Sequence, residues 1–175
     1  MLLRSLASFA CTILLAGSTL AQAPKSIPSP PETATVSLNG KAITVKYGAP
    51  SMRGRKIVGA LVPYDKVWRT GANEATSFVT ATNLKIGDTQ VPAGSYTLFT
   101  LPSSGQWMLI INKQTGEWGL SYDQSKDLAR IPMKSGSLAS PQERMSISFE
   151  NTKGNSTELH VKWENADQSV KITAE

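Results

Sequence analysis

From Ala34 onward the chain alternates apolar and polar residues with a period of two, the mark of half-buried strands. Ala34, Val36 and Leu38 begin the pattern, Asn39-Gly40 supplies a tight hairpin turn, and Ile43, Val45 and Tyr47 carry it back. Residues 76–82 and 85–91 read as two further strands. A turn at Pro92-Ala93-Gly94 leads into 95–101, which is apolar on both faces. Pro102-Ser103-Ser104-Gly105 then leads into 107–111, a continuously apolar run that belongs in the interior of a sheet. Met145, Ile147 and Phe149, then Leu159, Val161 and Trp163, then Val170 and Ile172 take the inward positions of the last strands. Strand parity assigns Tyr96, Phe99, Trp107 and Trp163 to the core and turns His160 outward with Glu158, Lys162 and Glu164, as a solvated histidine. About nine or ten short strands predict a mainly β domain, either an antiparallel β-sandwich or a partly open β-barrel. The one helical signal is 122–130, where Asp123/Lys126 and Asp127/Arg130 stand three residues apart.

The first 23 residues follow a different pattern. Arg4 is followed by an apolar run through Cys11-Thr12-Ile13-Leu14-Leu15, and Ala21-Gln22-Ala23 fits a small-x-small cleavage site. A signal peptide over 1–23 is expected, with delivery to the periplasm or the medium. Residues 24–32 form a Pro-rich tether, and 33–175 a single β domain. No later stretch is long and apolar enough for a transmembrane segment. Cys11 is the only cysteine, so the exported chain has no disulfide and must be held by its core.

Charge adds one local feature. The exported part carries 17 basic and 13 acidic residues; outside 53–69 the balance is 12 against 12. The surplus is Arg53, Arg55, Lys56, Lys66 and Arg69 against Asp65, beside Tyr64 and Trp68 in a glycine-containing stretch. This suits an anionic partner, but no nucleic-acid motif accompanies it and no nucleic acid is expected.

The missing chemistry is as informative. One histidine and no exported cysteine leave neither a zinc site of the usual ligands nor a serine–histidine–acid triad. Gly54 and Gly59 have phosphate-loop spacing, but Ala60-Leu61 stand where Lys-Ser/Thr is needed. No cofactor, metal or catalytic residue is assigned. Carboxylates at Asp65, Glu74, Glu117, Asp123 and Asp127 keep a hydrolase or lyase open as an alternative, below a non-enzymatic role.

The stretch RGRKIVGALVPYDKVWRTGANEAT (53–76) resembles the signature of a secreted bacterial family, domain of unknown function 2911. VPAGSYTLFTLP, QWMLIINKQTGEWG and YDQSKDLAR resemble its later blocks in the same order, so the likeness spans nearly the whole exported chain. It implies export and a compact, mostly β domain, and brings no functional residue with it.

Two polar–aromatic blocks remain as candidate ligand sites. In the first, Arg53, Arg55, Lys56 and Arg69 could cradle an anionic group beside Tyr64 and Trp68. Alternatively, Arg69 and Glu74 could pair across the turn with Asn73 as a structural clasp. The second block holds Glu117, Trp118 and Tyr122; if the two met, they would wall a shallow pocket. The expected function is a binding module for a small anionic or saccharide-like ligand or an envelope partner, with a purely structural module as a further alternative.

Overall fold

The computed structural model describes residues 28–175; the expected signal peptide and residues 24–27 of the expected tether lie outside them. Ten strands form two antiparallel sheets that share one hydrophobic cluster. In the larger sheet lie β1 (Pro31–Leu38), β2 (Lys41–Gly48), β3 (Thr76–Thr80), β6 (Gly94–Leu101), β7 (Met108–Asn112) and β8 (Asp127–Pro132), ordered β1-β2-β3-β6-β7-β8. In the smaller lie β4 (Leu84–Ile86), β5 (Thr89–Val91), β9 (Lys134–Lys153) and β10 (Ser156–Ala174), ordered β5-β4-β10-β9. Neither sheet closes, so the architecture is a sandwich rather than a barrel. No helix of the described residues is long and apolar enough to cross a membrane.

Local chemistry explains most boundaries. Asn39 and Gly40 both adopt positive φ, 50° and 73°, as a two-residue hairpin requires. The expected single strand over 85–91 is a hairpin, because Gly87 turns the chain at φ 55°. The 107–111 run becomes β7, interior between β6 and β8.

The long strands owe their course to a bulge. In β10, Leu159, Val161 and Trp163 face the core, whereas beyond Asn165 the inward set is Val170, Ile172 and Ala174. The parity switches where the register with β9 shifts, around Glu164, whose φ is 54°. A bulge inserts the odd residue that lets both halves of a bent strand keep the same core face. Glu164 also pins the 51–66 lobe to the bend, its Oε2 accepting from Ile57 N at 3.2 Å and from Val58 N at 2.9 Å.

One expectation is corrected and two are refined. His160 shares a face with Glu158 and Lys162, but it is only 8% exposed. The bend brings Asp167 over it, 2.7 Å from Nδ1, and Glu150 and Glu158 close the other side at 3.9 and 3.6 Å from Nε2. Alternation fixes a face, not its solvation. The helical turn expected over 122–130 is a 3₁₀ turn at Gln124–Lys126, capped by Asp123, and the Asp127–Arg130 pair (2.9 Å) lies along β8. Phe99 is buried on the outer face of the larger sheet, where Tyr122 meets it edge-on at 4.9 Å.

Candidate functional site

Across the larger sheet, one row of residues stands in register on the outer face: Thr33, Lys46, Ser77, Thr97, Asn112 and Asp127. All six are polar. The neighbouring row, Ala34, Val45, Phe78 and Tyr96, points into the core. The two ends of the polar row have separate uses.

At the β7–β8 end, the row holds a loop. Asn112 donates to Asp123 O and Asp127 Oδ1, both at 2.9 Å, and its Oδ1 accepts from Gln114 N. Thr97 donates to Gln114 O at 2.7 Å. Tyr122 donates to Asp127 Oδ2 at 2.6 Å and accepts from Arg130 Nη2 at 2.7 Å. Burial, reinforced by the bond to Asp127, pushes the Tyr122 hydroxyl up to about 12, so it stays a neutral donor at physiological pH. These bonds fasten residues 113–123 over half of the row.

At the β1–β2 end the row stays open. Thr33, Lys46, Ser77 and Thr97 floor a groove of about 700 Å³, walled by 72–75 on one side and 116–118 on the other. The two walls touch: Glu74 bridges Trp118, and Gly119 N donates to Asn73 O at 3.2 Å. Gly119 is required there, since a Cβ would lie on Arg69 Cδ and 2.7 Å from Asn73 O. Trp118 is 57% exposed at the rim. Glu32, Glu74 and Glu117 line the groove against one base, Lys46, so its charge is acidic. Glu117 Oε2 lies 3.5 Å from Thr97 Oγ1, while its Oε1 is buried with no hydrogen-bond partner among the described residues.

The ten candidates from the sequence therefore do not form one site. Asn73, Glu74 and Trp118 line the groove. Tyr122 stands behind its wall as a fastener. Trp68 is half-buried, stacked on Trp163 at 5.9 Å and bonded through Nε1 to Gly71 O, and so offers no free platform. Arg69 lies against Gly119, its Nε buried without a partner among the described residues, and no ion pair joins it to Glu74, so the expected clasp is absent. The two polar–aromatic blocks are instead joined through backbone contacts. Arg53, Arg55, Lys56 and Tyr64 belong to the separate 51–66 lobe, where the Arg55 guanidinium donates to Met52 O and Ser51 O. Of the carboxylates weighed for hydrolysis, Glu74 and Glu117 reach the groove; Asp65, Asp123 and Asp127 do not line it.

The floor residues Thr33, Lys46, Ser77 and Thr97 escaped the sequence reading. Their signal was present as polar positions on the outward parity of each strand, but alignment into one row is a property of register. Among the described residues, no group of histidines, cysteines and carboxylates is arranged to hold a metal ion.

Residues 29–172 match the model of a family described as protein of unknown function (DUF2911). No curated protein and no solved structure matches the chain.

Proposed function

The chain belongs to the DUF2911 family, whose function is unknown, and from that premise we propose that it is an exported, non-enzymatic binding module. Its groove takes a polyhydroxylated, saccharide-like ligand. What supports this is the open half of the polar row, with hydroxyls and an ammonium on the floor and the exposed Trp118 at the rim. Sugars present apolar C–H faces to an aromatic ring and hydroxyls to side-chain donors and acceptors, and concave sites with a few placed polar groups favour such ligands. Three carboxylates against one lysine disfavour an anionic occupant of the groove. The carboxylates Glu32, Glu74 and Glu117 accept hydrogen bonds from ligand hydroxyls in this reading.

A thermal-shift screen of oligosaccharides and cell-wall fragments, followed by calorimetry, tests the proposal. The expected result is stabilisation by a neutral or amino sugar ligand that falls at least tenfold in affinity with Trp118→Ala. Sugar binding unaffected by Trp118→Ala would remove the groove from the site. A flat screen with a well-folded protein would overturn the saccharide reading.

A further inference from the structure

We propose that the 51–66 lobe, on a surface distinct from the groove, docks the protein onto anionic lipid headgroups. The lobe is anchored on one side and exposed on the other. Its anchors are the Ser51–Arg144 bridge, Met52 N donating to Glu143 O, and the two bonds to Glu164; Ile57 and Val62 plug the core at 1% and 2% exposure. Outside stand Arg53, Arg55, Lys56 and Lys66, with one acid of the lobe, Asp65. Glu143 and Glu164 also touch the lobe, and both carboxylates receive backbone N–H groups there. Every ion pair among the described residues lies elsewhere, so the four cationic heads have no carboxylate partner.

Two large apolar side chains lie among these cations. Leu61 is 47% and Tyr64 41% exposed, and the lobe's backbone holds both in place. Leu61 N donates to Lys56 O, and the Tyr64 ring lies over Gly59, where any Cβ would collide with it. Cations flanking exposed apolar side chains fit a headgroup layer, where the charges meet lipid phosphates and the apolar groups enter the acyl boundary. A soluble polyanion would use the charges and leave Leu61 idle.

The course of the chain supports the same occupant. Arg53 Nη2 donates to Pro28 O at 3.1 Å, so the chain emerges beside the lobe. Only residues 24–27 separate Pro28 from Ala23, the end of the expected apolar leader. Fully extended, so short a connection spans about 15 Å. If the expected leader enters the bilayer, so short a connection would hold the basic lobe near its surface.

Vesicle co-sedimentation of a chain beginning at Pro24, which retains every contact described above, provides the test. Vesicles of phosphatidylglycerol and phosphatidylcholine should bind it at 50 mM salt and release it at 500 mM, whereas pure phosphatidylcholine should not bind. Lys56→Gln with Lys66→Gln removes two side chains that make no described hydrogen bond, and should lower partitioning about 25-fold, roughly fivefold per charge. Leu61→Ser should weaken vesicle binding and leave binding to dextran sulfate unchanged. Absence of binding to the anionic vesicles, or insensitivity to the double lysine change, overturns the proposal. Leu61→Ser without effect, alongside dextran sulfate bound as tightly as vesicles, overturns the lipid assignment in favour of a soluble polyanion. Circular dichroism of each variant separates these outcomes from misfolding, and loss of sugar binding by the groove would leave them untouched.

Discussion

Removing the Glu164 carboxylate should loosen the basic lobe and the bend of β10 together. One oxygen, Oε2, receives two backbone N–H groups, from Ile57 and Val58. Hydrogen bonds to a charged acceptor contribute about 1.5–3 kcal/mol each. Two donors share one atom here at a half-buried site, so the joint loss in Glu164→Ala is about 2–3 kcal/mol. Ile57 is 1% exposed, which limits how far water can replace its lost partner. Backbone strain does not offset this loss, because alanine and glutamate pay a similar penalty at φ 54°. Glycine pays none, so Glu164→Gly should be about 1 kcal/mol less damaging than Glu164→Ala. Glu164→Gln keeps a neutral acceptor in place and should lose only about 1 kcal/mol. Urea melts at constant m value read these differences as shifts in midpoint. The expected order of damage is Ala, then Gly, then Gln. An alanine variant within about 0.5 kcal/mol of the parent, or a glutamine variant as unstable as alanine, would refute the assigned role.

Two further outcomes follow from the groove and the long hairpin. Gly119→Ala places a methyl against Arg69 and the Asn73 carbonyl, so the two walls must separate; a cost of about 1–3 kcal/mol in melts is expected, with groove binding weakened more than lobe binding. In the β9–β10 hairpin, the Lys162 bond holds the Glu150 carboxyl below its ordinary range, and Asn151 chiefly does the same for Glu158. A depressed folded value stabilises the fold above the unfolded carboxylate pKa of about 4.3, and the gain disappears as pH falls through the lower folded values. Thermal melts from about pH 6 to about pH 3 should therefore show a smaller acid loss in Lys162→Met, which lacks the cation, than in the parent; equal losses would show that Lys162 does not hold Glu150.

The class of fold was legible in the sequence alone. Period-two alternation is a local property, so Ile43, Val45 and Tyr47 could be assigned inward without knowing their neighbours, and Asn39-Gly40 named its turn. The lack of any cysteine beyond Cys11 and the basic surplus of 53–69 were likewise countable. What those residues face was settled by the packing of distant segments. Thr97 looked like part of a strand apolar on both sides, and only register with Ser77 and Asn112 made it the floor of a groove. His160 looked solvated until a bulge four residues later swung Asp167 across it. Arg69 and Glu74 are close in sequence yet do not pair, and Trp68 is taken up by Trp163, far along the chain. Period and composition are encoded residue by residue, whereas register, bends and charge fields depend on which distant segments come to lie side by side. The candidate site is built almost wholly from the second kind of information.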